Sequence, residues 1–155
     1  MTNESQFSDR DMSQISTYHS GVAQATAHRV TNRVVSEYLK QYGLSGMQWF
    51  ILGYVYDSGS AGMTIGDLRR VLETTLPYTT NAVASLEAKG FVNKQPRAED
   101  NRIKVVTIDE RHHAMIEEIE SGLREELRRT LYGRDDISRE DLSAYIRVLY
   151  KIIGQ

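Results

Sequence analysis

Asn81 offers the most specific chemistry in this chain, because a carboxamide can pair two hydrogen bonds with the major-groove edge of adenine. Tyr78, Thr80 and Ser85 stand close by in sequence, and their hydroxyls are of the kind that bond phosphate oxygens and base edges. A second group follows in the stretch KQPRAEDNRIK at 94–104, where Lys94, Arg97, Arg102 and Lys104 surround Asp100 and Asn101. An arginine at the tip of a narrow hairpin can enter a minor groove, where negative potential is concentrated. Asp100 precedes Arg102 by two residues, a spacing that lets its carboxylate hold the guanidinium by a charge-assisted bond. Thr64 and Thr75 complete the set, each placed to cap a short helix whose N-terminus favours a phosphate.

The elements that must position these groups can be read from periodicity. Apolar residues at helical spacing over 15–42 (Val22, Ala25, Val30, Val34, Tyr38, Leu39) predict a first helix, closed by Gly43. Ser45 can cap a second helix over 46–56, apolar nearly all round, with Trp49 and Phe50 expected in the core. After the loop DSGSAG at 57–62, Thr64 caps a short helix over 65–72 with Ile65, Leu68 and Leu72 inward. Thr75 caps another, which tolerates Pro77 in its first turn and stops at Gly90. In that helix Thr79, Ala82, Val83 and Leu86 share one side, and Tyr78, Asn81 and Ser85 the other, with Thr80 at the edge.

The period then changes. Segments 91–95 and 103–108 read as strands around a charged loop at 96–102, a β-hairpin. Asp109 can cap a long helix to about residue 132, with Met115, Ile119, Leu123, Leu127 and Leu131 in one stripe. Ser138 caps a last helix carrying Leu142, Tyr145, Ile146, Leu149 and Ile153. The fold class is therefore mostly α with a small β-hairpin wing: a winged helix-turn-helix over 44–109, flanked by helical regions at 14–42 and 110–155, in a single domain over 1–155. A polar helix face and a charged hairpin each read plainly as solvated surface when taken alone. In this order, two short helices and then a hairpin, they point to binding of double-stranded DNA.

Bulk properties narrow the classes. The 155 residues, 40% hydrophobic and 26% charged, suit one ordinary globular domain. The absence of cysteine excludes thiol catalysis and cysteine-ligated zinc. The polar stretch 1–10 lacks a signal-peptide core and no run has the apolar length of a membrane span, so a cytoplasmic chain without membrane contact is expected. A net charge of −2 is not that of a strongly basic nucleic-acid binder. The segment 89–104, however, holds five bases against two acids, a local patch able to attract phosphate.

At this point the stretch 43–115 resembles the MarR family of bacterial transcription regulators. The matching pieces are GLSGMQWFIL at 43–52, MTIGDLRRVL at 63–72, TTNAVASLEAKGFV at 79–92 and RAEDNRIKVVTID at 97–109. Asp100 and Arg102 fall on the family's wing Asp and Arg. The resemblance implies a homodimer built from the first helix and the last two, acting as a repressor on a pseudo-palindromic operator. It also implies release by a small aromatic or amphipathic effector ligand, for which Trp49 is the candidate lining residue. The chain departs from the family with Asn101 where a further Arg is common, Arg97 where an acid is usual, His112 where Gly is usual, and Pro77 and Tyr78 where small hydroxyl residues are common. The excess apolar surface of the terminal helices independently suggests a partner.

Other chemistry is poorly represented. No phosphate-binding glycine loop, nucleophile elbow or metal-protease helix occurs, so no enzyme and no cofactor are expected. His113 and Glu117, four residues apart, could share a metal ion, although surface or interface histidines are the plainer reading and no metal is expected. The rival to DNA binding is a winged helix used for protein contact.

Overall fold

The computed structural model describes residues 14–154, and the polar segment 1–13, expected to fray, lies outside them. Helix α1 (Thr17–Leu39) ends sooner than its periodicity suggests. A tighter turn at Lys40–Tyr42 follows, and Gly43 closes it at φ 67, a conformation that costs a residue without Cβ little. Helix α2 (Gly46–Asp57) starts in a reciprocal cap. The Ser45 hydroxyl accepts the Gln48 N–H at 3.2 Å, and Gln48 Oε1 accepts the Ser45 N–H at 3.0 Å. Trp49 is buried, as expected, but Phe50 is 45% exposed, and α2 is therefore not covered on every side.

Strand β1 (Met63–Thr64) leads directly into α3 (Ile65–Val71). The sequence gives no sign of this strand, because two residues carry no alternation and its partner β3 lies far along the chain. Between α3 and α4 (Leu76–Ala88) the chain turns at Glu73, φ 46, a left-handed position that costs a side-chain-bearing residue about 1–2 kcal/mol. The Glu73 and Thr74 N–H groups cap the last carbonyls of α3, from Arg70 and Arg69.

Strands β2 (Val92–Arg97) and β3 (Asp100–Ile108) are longer than predicted, so the loop expected at 96–102 shrinks to residues 98–99. The sheet is antiparallel in the order β1-β3-β2, with Met63 opposite Val106 and Val92 opposite Ile108. Pro96, which has no N–H to give, is tolerated because β2 is an edge strand, and the register shifts beside it. Gly62, at φ 65, lets β1 approach β3: a Cβ there would meet Val105 Cγ1 and the Val106 carbonyl oxygen at 2.5 Å.

The Asp109 carboxylate accepts the Arg111 N–H at 3.0 Å and starts a short turn at Glu110–His112, from which α5 (His113–Leu127) grows and then widens into a π turn at Arg128–Tyr132. The face of α5 that is fully covered is Ile116, Ile119 and Leu123. Met115 and Leu127 of the predicted stripe only border the core, and Leu131 is half-buried. One core runs through the molecule, from Leu39, Ile51, Leu52 and Val55 to Leu68, Val83, Leu86, Val92, Val106 and Ile119. Each such side chain contributes about 1.5–3 kcal/mol on burial. Helix α6 (Arg139–Ile153), capped by Ser138 as predicted, adds nothing to that core. It has no buried residue, and Ile146, Leu149, Tyr150, Ile152 and Ile153 are all exposed. No helix among the described residues is long and apolar enough to cross a membrane.

Candidate nucleic-acid interface

Helix α4 is set by its two faces. Thr79, Val83 and Leu86 recur at helical spacing and are fully buried. The buried Thr79 hydroxyl is satisfied by donating to the Thr75 carbonyl at 2.9 Å. The Thr75 hydroxyl accepts the Tyr78 N–H at 3.4 Å and caps the N-terminus, while Pro77 contributes a first-turn position that has no N–H to satisfy. The rotation that buries Thr79 turns Tyr78, Thr80 and Asn81 outward, and all three are exposed.

The hairpin places its charges by the two-residue period of a strand. Arg102 and Lys104 share a face with the buried Val106 and Ile108, so they extend toward the side on which the helices pack. A groove of about 520 Å³ results, lined by Thr64, Thr80, Arg97, Arg102 and Lys104, with Asp67 and Leu76 also on its wall. Five residues predicted separately from sequence thus converge on one concavity. The acid in this groove is already engaged: the Thr64 hydroxyl and N–H, together with Arg70, hold the Asp67 carboxyl below the ordinary carboxylate range.

Three other predicted contacts have different surroundings. Ser85 does not lie on the free face; it is half-buried and its Oγ accepts a hydrogen bond from Gln48 Nε2 at 3.0 Å. Lys94 is half-buried and paired with Glu87 of α4 at 3.0 Å, which ties the wing to the helix. Asp100 accepts the backbone N–H of Arg102 at 3.0 Å, so it shapes the turn instead of gripping the guanidinium. Asn101 is exposed at the start of β3. The sequence reading missed Gln48 and Lys89. The signal for Gln48 was present, since it stands three residues after the capping Ser45.

Trp49 has only 8% of its surface exposed and lines a separate cleft of about 330 Å³ with Gly53, Tyr56, Asp57, Ile116, Glu117 and Glu120. A wider, adjoining hollow adds Phe50, Tyr54, Val71, Leu72 and Tyr150 of α6. Of the pair considered as metal ligands, Glu117 accepts the Tyr56 hydroxyl at 2.6 Å, and the His113 ring packs edge-on against Tyr56 with centroids 5.4 Å apart. Acceptance by Glu117 raises the Tyr56 pKa. No group of three or more His, Asp or Glu among the described residues could hold a metal ion.

Residues 42–103 match the model of the MarR family. No curated protein matches the chain. Among solved structures it is similar to MepR of S. aureus in complex with DNA, at 22% identity and a TM-score of 0.71, over 87% of this chain and 96% of that one. A mutant MarR of E. coli complexed with operator DNA is 21% identical, TM-score 0.70, over 85% and 91% of the two chains. CouR of Rhodococcus jostii, bound to p-coumaroyl-CoA, is 15% identical with a TM-score of 0.74, over 85% and 90%. Likeness at such identities carries the fold. Residues 42–103 are thus similar to the MarR family, in a fold that this chain shares with the solved MarR-type proteins along most of its length.

Proposed function

We propose that the chain is a DNA-binding transcription regulator, a repressor, that acts as a homodimer on a pseudo-palindromic operator. The observation that carries this reading is the convergence of Thr64, Thr80, Arg97, Arg102 and Lys104 on one groove beside the exposed Asn81 and Tyr78. Helix α4 enters a major groove, where Asn81 and Tyr78 reach bases or backbone. The hairpin lies over the flanking minor groove, with Arg102 as its anchor and Asn101 beside it. Residues 44–109 form the reading head, and 14–42 and 110–155 form the dimer scaffold. The unpartnered apolar face of α6 supports that division, because water does not leave so much apolar surface uncovered cheaply. Similar folds complexed with DNA support it further.

The chain works by binding and not by catalysis, and a small ligand tunes it. The cleft beside Trp49 suits an aromatic or amphipathic ligand, because it pairs aromatic walls with the carboxylates Asp57, Glu117 and Glu120. A ligand that shifts the separation of the two reading heads shifts DNA affinity, since only one spacing fits successive grooves.

One observation favours protein contact as a rival. Leu76 and Tyr78, at the start of α4, are about half exposed, at 53% and 51%, and present apolar surface. Salt decides between the two readings. DNA binding should fall with a log–log slope of about −0.9 per phosphate neutralised, whereas apolar docking would change little. A gel-shift titration against duplexes selected from a random pool, repeated at several salt concentrations, tests the function directly. A flat salt response, or no enriched duplex, would reject it.

A further inference from the structure

Behind the reading face, Ser45, Gln48, Ser85 and Lys89 are joined in one connected set of hydrogen bonds. Gln48, on the first turn of α2, is 9% exposed. Its Nε2 donates to Ser85 Oγ on α4 at 3.0 Å, and its Oε1 accepts both the Ser45 N–H at 3.0 Å and Lys89 Nζ at 3.3 Å. Lys89 is the residue that ends α4, and its ammonium also donates to the carbonyl of Gly43, at the corner between α1 and α2. A single carboxamide therefore caps one helix while holding the second half of another through a hydroxyl and an ammonium.

We infer that Gln48 is a positioning residue for sequence reading: it fixes the angle at which α4 leaves the α1–α2 corner, and thereby the register of Asn81 against base edges. This rests on the DNA reading given above. The apolar contacts of Val83 and Leu86 hold α4 against the body, but such contacts are non-directional and tolerate rotation and sliding. Hydrogen bonds to a planar amide are directional and tolerate neither. The three partners are spread over Ser45, Ser85 and Lys89, so the carboxamide plane is set from both helices at once. Gln48 also immediately precedes Trp49, which lines the cleft beside α2. A displacement of α2 at that cleft is passed to α4 through the same side chain.

The test compares Gln48→Leu and Gln48→Glu with the parent, on a selected operator and on a scrambled duplex. Glutamate keeps the acceptor for Ser45 and Lys89 and replaces the amide donor with a second acceptor, to which the Ser85 hydroxyl can donate, while leucine keeps the bulk and removes every polar bond. Gln48→Leu should lose about tenfold in operator affinity with the scrambled duplex and the salt slope unchanged, and Gln48→Glu should recover most of the ratio. Thermal unfolding of the free proteins, together with amide exchange along α4, separates positioning from folding: a variant that is folded and dimeric but exchanges faster at 85–89 fits the inference. If Gln48→Leu discriminates operator from scrambled duplex as the parent does, or if it loses affinity for both duplexes equally, the inference is overturned. A parent that binds no duplex would instead remove the DNA reading on which it rests.

Discussion

Asp100 Oδ1 accepts the backbone N–H of Arg102 at 3.0 Å, so the acid of the wing organises the backbone under the arginine and leaves the guanidinium to reach outward. Asp100→Ala should weaken binding to every duplex by loosening the wing, and Asp100→Asn, which retains an acceptor, should restore most of the loss. Gel-shift titrations of both variants check this. Equal losses for Ala and Asn would mean that charge, not turn geometry, is what Asp100 supplies.

Arg102 and Asn81 should fail in different ways. Arg102→Ala removes a phosphate or groove anchor, so affinity should drop for all sequences and the salt slope should become shallower by about one. Asn81→Ala should leave the slope alone and cost about 1–3 kcal/mol of discrimination between operator and single-base variants. Two variants that both bind like the parent would take α4 and the wing out of the interface.

Leu149 and Ile153 lie one helical turn apart on the uncovered face of α6. Substituting Asp at both positions should turn a dimer into monomers in sedimentation velocity, because two charges cannot be buried unpaired across an apolar interface. Operator affinity should fall with it, as each half-site is then read alone. A double variant that remains dimeric would place the interface elsewhere.

Gly62→Ala should be among the most damaging single changes beside the sheet. The backbone there, at φ 65 and ψ −173, lies in a region open essentially to glycine, and the added methyl would strike a backbone carbonyl as well as Val105. Strain alone costs about 1–3 kcal/mol, and the contact adds to it. Urea unfolding measures the loss, and a midpoint equal to the parent's would show that β1 can move away.

Acid should destabilise the fold through its caps. The Arg111 guanidinium and N–H hold the Asp109 carboxyl well below the usual carboxylate range, and the Ser138 N–H and hydroxyl lower that of Asp141. A carboxyl whose folded value lies under its unfolded value of about 3.9 stabilises fully above that pH, and the contribution fades as pH falls through the folded value. Urea midpoints should therefore be level from neutral pH down to about 5 and then decline, and Asp109→Asn should reduce the decline. A midpoint that rises on acidification would contradict these assignments.

The parts legible in the sequence are those fixed by residues two to four apart. The capping roles of Ser45, Thr64, Thr75, Asp109 and Ser138 were readable because a cap is a local hydrogen bond, and the inward turn of Thr79, Val83 and Leu86 because a helix has one period. What stayed hidden depends on distant partners. Strand β1 exists only because Val105 and Val106 pair with it. Ser85 and Lys94 have the right chemistry for DNA, but Gln48 and Glu87 engage them first, and neither partner is near them in sequence. Phe50 looks like core by type, yet its exposure is settled by which elements cover α2, and no pattern along α2 encodes that.

The most direct test of the central claim is selection from a random duplex pool, followed by titration of the enriched sequence across a range of salt. The predicted result is a two-fold symmetric site with half-sites about one helical turn apart, bound by two chains, with affinity falling steeply as salt rises. An enriched pool without symmetry, or binding that ignores salt, would contradict it.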